Sequence, residues 1–273
     1  MLHDSSAKRR ILVTGAAGQV GELLTPLLRE SFALRLADIR PMRAAAGDDV
    51  VQGDLADPEI ALKAVTGVAG VVHLAGLVAS RVSFEDTLSA NYRALLSVLE
   101  ACRALEVRRF VFASSHHILG LHPSDRVYDE ASPILPDGFY GLSKAFGEAA
   151  CAMYAMRFGI ATLVIRIGNA DPQVVDARRE RLWISGRDLC QLVSIGLSHE
   201  SLQYEIVNGV SRCPSPLFSL DSAERLGYNP KDCASAHHAP DFRPFADLTA
   251  ADGYNLAGGR FAADPLPHPL RRT

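Results

Sequence analysis

Cysteine is scarce: five in 273 residues, Cys102, Cys151, Cys190, Cys213 and Cys233, no two at the spacing of a metal clip or a redox pair. Reduced, buried thiols are the expectation, and no metal site. Long hydrophobic runs are missing as well. The longest nearly apolar stretch, 68–80, contains His73 and is shorter than the roughly 20 residues a membrane-spanning helix needs. The opening MLHDSSAKRR carries basic residues with no apolar segment behind them of the secretory kind. A cytoplasmic protein with no membrane partner is expected. Basic charge is not in excess, with 28 Lys and Arg against 31 Asp and Glu and a formal net charge of −3. A nucleic-acid partner would demand clustered cations, whereas Arg178–Arg179 and Arg271–Arg272 are isolated pairs. There is no internal repeat, and 48% hydrophobic with 22% charged residues excludes disorder, collagen and coiled coil.

What is present is alternation. Short runs rich in Val, Ile and Leu at 10–14, 33–37, 70–74, 109–113 and 162–166, with a further one at 204–208, alternate with amphipathic stretches at 19–30, 60–65, 84–105 and 140–158. That pattern predicts an α/β fold with a doubly wound parallel sheet. After Arg166 the alternation weakens, which predicts that residues 169–261 finish the sheet and add a small cap. Residues 262–273, with Pro265, Pro267 and Pro269, are expected to run over the surface without regular structure.

The segment ILVTGAAGQVGELL puts Gly15, Gly18 and Gly21 directly after the first strand and at the opening of a helix. A tight turn approached closely by a pyrophosphate needs residues without side chains there. The second strand ends in Asp38, whose carboxylate suits the adenosine ribose hydroxyls and repels a 2′-phosphate, so NAD is expected over NADP. Arg40 and Arg43 blunt this preference. Asp54 and Leu55, and then Leu74, Ala75 and Gly76, follow later strands at the same end. The alternative for Asp54 is a helix cap ahead of Asp57–Pro58. Residues 8–168 therefore read as an NAD-binding core of Rossmann type.

The run RRFVFAS ends at Ser114 and Ser115, and Tyr140 opens a helix with Lys144 four residues on. Tyr and Lys at i and i+4 share a helix face. An ammonium beside a phenol favours the phenolate, which can take a proton from an alcohol, and a serine hydroxyl nearby can hold the same oxygen. The ordered set GAAGQVG, DL at 54–55, HLAG at 73–76, FASS at 112–115 and YGLSK at 140–144 resembles the small, extended short-chain dehydrogenase/reductases of the NAD-dependent epimerase/dehydratase type, over Lys8 to about Gly168. The resemblance implies that Ser115 orients the substrate oxygen, Tyr140 is the general base and Lys144 lowers its pKa while holding the nicotinamide ribose. It also implies cofactor contacts from Gln19, Val20 and Ile167, and a role for Asn91 in the proton relay, where the plain alternative is a polar residue bent into a helix. In this family the helices at 84–105 and 140–158 commonly pair across a two-fold axis, implying a homodimer or higher homo-oligomer.

Few residues are left to hold a nucleotide-linked sugar, so a small substrate is expected. RIGN at 166–169 followed by ADPQVVDARRERLWIS resembles the bacterial uronate dehydrogenases, which implies NAD-dependent oxidation of the C1 hydroxyl of a hexuronate to an aldarolactone, with Arg178 gripping the carboxylate. Guanidinium geometry suits a carboxylate; a surface arginine is the alternative. The chain departs from that pattern at His116, at Asn169 and in the loop after HLAG, where Val78 or Ser80 is the nearest counterpart of a substrate-binding serine. His116 and His117 are either polar contacts to a sugar or packed structure. Rival readings are another small-sugar or hydroxy-acid dehydrogenase, an epimerase or dehydratase that returns the hydride, and a non-catalytic NAD-binding sensor.

Overall fold

Near-continuous apolar runs make strands that must be covered on both faces. A computed structural model of the chain describes residues 8–267; the expectations for residues 1–7, for Pro269 and for Arg271–Arg272 lie outside the described residues. The strands of the main sheet are β1 (Arg10–Thr14), β2 (Ala33–Asp38), β3 (Asp49–Gln52), β4 (Gly70–His73), β5 (Arg109–Ser115), β6 (Ala161–Ile167) and β10 (Tyr204–Gly209). All pair in parallel, in the order β10-β6-β5-β4-β1-β2-β3. Side chains alternate between two cores. Ile11 and Val13 point with Leu34, Leu36 and Val111 into the layer that includes Leu24, Leu28, Leu189 and Leu192, on helices α1 (Gln19–Leu28) and α7 (Gly186–Ser198). Leu12, Val71, Phe110 and Phe112 point the other way, against α2 (Pro58–Val65), α4 (Ala94–Ala104) and α5 (Phe139–Phe158).

Three expectations change. The helix expected over 84–105 is broken into α3 (Phe84–Thr87), a π-helical turn (Leu88–Arg93) and α4. Ser83 and Asp86 cap its start reciprocally, and the wider π turn buries Asn91; hydrophobic periodicity does not register one i→i+5 turn. Helix α7 was not anticipated, although Leu189, Leu192, Val193, Gly196 and Leu197, all buried, make an apolar stripe at helical spacing. The tail is not irregular from its first residue: α9 (Arg260–Ala263) runs into it through Ala262 and Ala263, and Asp264 accepts a hydrogen bond from Ser80 Oγ at 2.6 Å and pairs with Arg81.

Beyond β6 the chain forms two small parallel ribbons, β7 (Asn169–Ala170) with β9 (Trp183–Ile184), and β8 (Val174–Asp176) with β11 (His238–Arg243). Between β8 and β9 lies the short helix α6 (Ala177–Glu180), and α8 (Asp221–Arg225) follows β10. These segments close over a separate apolar cluster of Ile118, Leu119, Leu182, Leu217 and Phe218, beside the carboxyl ends of β5 and β6. No described helix is long and apolar enough to cross a membrane.

Candidate active site

The strand order reverses at β1, with β2 on one side and β4 on the other, and such a switch point opens a crevice at the carboxyl ends of the strands. A cleft of about 580 Å³ lies there, lined by Gly15, Gly18, Gln19, Asp38, Asp54, Leu55, Leu74, Ala75 and Gly76 among others. Gly15 has φ +67°, and a Cβ on it would stand 2.7 Å from the Ala75 nitrogen, so only glycine fits. Gly21 packs: its Cβ would fall 2.5 Å from the Gly15 carbonyl oxygen. Val20 packs against the apolar core instead of lining the cleft. Helix α1 starts at Gly18 without a side-chain cap, leaving its first N–H groups for an anion. Gln19 Nε2 donates to the Ala170 carbonyl at 3.0 Å and ties this helix end to the loop after β6.

Asp38 Oδ2 accepts from the Ala17 N–H at 3.0 Å, and Oδ1 from the Arg40 N–H at 2.9 Å. Arg40 Nε reaches the same oxygen at 3.4 Å, so the arginine that could attract a 2′-phosphate is drawn to Asp38. Asp38→Ala is expected to free Arg40 and raise the NADP-to-NAD ratio of kcat/KM at least about tenfold, a shift of ~1.4 kcal/mol; initial rates with each cofactor check it. Asp54 is not the helix cap. Asp57 caps α2, accepting from the Glu59 N–H, while Asp54 accepts from the Ala56 N–H at 2.9 Å and from Ser89 Oγ at 3.3 Å at the cleft wall. A side-chain-free turn, open helix N–H groups and a carboxylate at the end of β2 fit NAD.

Helix α5 brings the other groups to Ser115. Gly147 lets it sit on β5, since a Cβ there would stand 2.2 Å from the Phe112 ring. Lys144, buried, donates to the Ala113 carbonyl at 2.8 Å and lies 5.7 Å from the centre of the Tyr140 ring. Burial pushes the Lys144 ammonium down to about 8 and the Tyr140 phenol up to about 12, against a lowering hydrogen bond with Ser115. The expected depression of Tyr140 by Lys144 is therefore not found among the protein's own groups: the ammonium is turned to a backbone carbonyl, and desolvation dominates. Asn91 sits beside them and clamps the Leu77 backbone, accepting from its N–H at 2.7 Å and donating to its carbonyl at 3.1 Å and to Ser143 Oγ at 2.8 Å. Asn91 thus holds the loop after Gly76.

Of the residues that depart from the family pattern, His116 and Asn169 follow the paired strand ends Ser115 and Ile167. His116 Nδ1 faces the Ile167 carbonyl at 3.2 Å, so Nδ1 carries the hydrogen; Nε2 is buried without a partner among the described residues. Ile167 is otherwise a core residue. The Asn169 Nδ2 group is likewise buried and unpartnered. Arg178, 9% exposed, donates from Nε to the Leu256 carbonyl at 3.4 Å and from Nη2 to that of Ala257, while Nη1 takes no hydrogen bond among the described residues. Burial pushes it down to about 10, still cationic at neutral pH, and its charge bears on His116 and His117. Of the two counterparts in the loop after HLAG, Ser80 is held by Asp264 and Val78 lines the cleft. Sequence reasoning missed Asp137, 2.6 Å from His117 Nδ1, and Phe261, stacked 4.1 Å from the His117 ring and edge-on to Tyr140. Asp137–Gly138 reads locally as a turn, and nothing around Phe261 carries a periodic signal.

Residues 11–170 match the model of the family described as the NAD dependent epimerase/dehydratase family. A uronate dehydrogenase of Pseudomonas putida is 39% identical over 259 residues, covering 93% of this chain and 95% of that protein. Two solved structures are similar. A uronate dehydrogenase from Agrobacterium tumefaciens complexed with NAD has a TM-score of 0.86 at 34% identity, covering 95% of this chain and 98% of the other. A glucuronic acid dehydrogenase from Chromohalobacter salexigens has a TM-score of 0.85 at 34% identity, over 94% and 97%. With the glycine turn, the cleft at the switch point and Lys144 close to the Gly76 wall of that cleft, the chain belongs to the NAD dependent epimerase/dehydratase family.

Proposed function

We propose that this NAD-dependent oxidoreductase oxidises the C1 hydroxyl of a hexuronate, such as glucuronate or galacturonate, to the corresponding aldarolactone. The observation that carries the reading is Arg178, a buried guanidinium with Nη1 open, whose charge bears on His116 and His117, the residues directly after Ser115. A desolvated cation is costly unless an anion meets it, and the carboxylate of a uronate is such an anion. The names of the similar proteins point to the same substrate class.

NAD bound in the cleft supplies the hydride acceptor. Tyr140 Oη takes the proton of the C1 hydroxyl as the C1 hydrogen leaves with its electron pair. Ser115 Oγ hydrogen-bonds the same oxygen, and the Lys144 ammonium, once turned from the Ala113 carbonyl toward the phenol, offsets the burial that raises Tyr140 in the protein alone. Asn91 fixes the Leu77 backbone beside the reacting end, and Arg178 fixes the far carboxylate, holding C1 in line.

The test follows reduced nicotinamide by absorbance with glucuronate, galacturonate, neutral hexoses and small hydroxy acids. NADH formed from uronates and not from neutral hexoses is the expected result; reduction with neutral sugars alone overturns the uronate reading, and no net NADH favours a reaction that returns the hydride. Arg178→Ala is expected to raise KM for uronates by about 10- to 150-fold, the loss of a charged hydrogen bond of ~1.5–3 kcal/mol, with the smaller effect on kcat. An unchanged KM means that the carboxylate is bound elsewhere.

A further inference from the structure

The carboxylate of Asp137 is enclosed to an unusual degree. A Cβ on Gly120 or on Gly258 would stand 2.0 Å from its Oδ2, and one on Gly141 3.2 Å from Oδ1. Three separate backbone segments thus close around one side chain. Its Oδ2 lies 2.6 Å from His117 Nδ1, and its Oδ1 is buried with no partner among the described residues. Burying a carboxylate with an oxygen unmet is a poor way to stabilise a fold. The arrangement makes sense as a device acting on His117. A carboxylate only accepts, so Nδ1 carries the hydrogen and Nε2 is left with its lone pair. The His117 side chain retains 10% exposure, its ring is held 4.1 Å from both Phe261 and His116, and it meets Tyr140 edge-on at 5.6 Å. Nε2 is the ring atom left to meet a ligand.

We propose that Asp137 is a positioning residue of the substrate pocket: it fixes the His117 ring with hydrogen on Nδ1, so that Nε2 accepts a hydrogen bond from a hydroxyl of the substrate beside Tyr140. This rests on the uronate reading for the identity of the substrate, not for the tautomer. The work is thereby divided by chemistry. Arg178, a pure donor, serves the carboxylate; His117 Nε2, an acceptor, serves a hydroxyl. His116 shows that a backbone carbonyl is enough to set this tautomer, and the added charge of Asp137 makes Nε2 the stronger acceptor.

One proton changes the device. Whether it rests on the carboxyl, which then donates to Nδ1, or on the ring, Nε2 acquires a hydrogen and turns from acceptor to donor. Burial pushes Asp137 up to about 6 and His117 down to about 3, so the proton goes first to the carboxyl and the acceptor form persists above about pH 6. The charged and titratable groups facing the pair are His116 on the same 3₁₀ turn, Tyr140 on α5 and Arg178 on α6; Phe261 on α9 brings no charge.

The experiment has two arms. In the first, the wild-type protein with ¹⁵N-labelled histidine, its His117 signals assigned by their loss in His117→Gln, is followed by NMR from pH 7.5 to 5. Hydrogen on Nδ1 at pH 7.5, moving to Nε2 as the pH falls through about 6, is expected. Hydrogen on Nε2 at pH 7.5 overturns the proposal. In the second, Asp137→Asn is expected to raise KM for the uronate about tenfold, with kcat within about threefold, and to have no further effect in the His117→Gln background. An equal cost in both backgrounds means that Asp137 is merely structural. A wild-type protein that forms no NADH from any uronate defeats the substrate reading alone, and the NMR arm still decides on the pair.

Discussion

Tyr140→Phe is expected to lower the rate of NAD reduction by about 10²- to 10⁴-fold, the usual worth of a positioned proton acceptor, while cofactor affinity stays within about twofold. The argument is geometric. The hydroxyl is the only atom removed; the ring that packs edge-on to His117 and Phe261 remains, and the cleft that fits NAD is lined by other residues. Lys144 keeps its hydrogen bond to the Ala113 carbonyl, so the helix face that carries it is not disturbed. Single-turnover absorbance gives the rate, and fluorescence titration with NADH gives the affinity. Turnover close to wild type would remove Tyr140 from the reaction; a parallel loss of NADH binding would mean that the substitution had disturbed the cleft.

Glu148→Ala is expected to cost about 3–5 kcal/mol of stability, the penalty of leaving a buried charge without its partner, and to lower Tm by about 10 °C. Glu148 and Arg166 are each 3% exposed. The guanidinium donates from Nε to Oε1 at 3.0 Å and from Nη2 to Oε2 at 2.9 Å, and Ser114 Oγ donates to Oε1 at 2.6 Å. The carboxylate thus ties α5, one turn after Lys144, to β6 and to the residue next to Ser115. Replacing both charges, Glu148→Leu with Arg166→Met, is expected to recover much of the loss, because no charge is then stranded. Urea unfolding of the three proteins checks this. Equal stability of the single variant and wild type would show that water or local rearrangement satisfies Arg166.

The pattern of residues was enough for what depends on neighbours in the chain. The strands at 10–14 and 33–37, the glycine turn and the sharing of one helix face by Tyr140 and Lys144 follow from short apolar runs, from the helical period of 3.6 and from the freedom of glycine at Gly15. The apolar stripe of α7 is equally local, although the charged opening Gly186–Arg187–Asp188 obscures its period. Two assignments needed a partner to be decided. Asp54 and Asp57 are interchangeable as caps on paper, and only the path of the chain turns Asp57 onto Glu59 and Asp54 onto Ser89. The pKa of Tyr140 reads as lowered from the neighbouring lysine, yet burial, a property of the whole assembly, raises it.

The amino-acid sequence by itself determined the class of fold and the family, because each rests on the local order of strands, helices and glycine turns or on side chains that must be absent. The substrate end was decided only by the tertiary structure. Asp137 reaches His117, Arg178 reaches the carbonyls of Leu256 and Ala257, and Phe261 reaches Tyr140. These partners stand 20 to more than 100 positions apart, and no local period links them. They meet because a buried charge must find a partner wherever the packed backbone brings one.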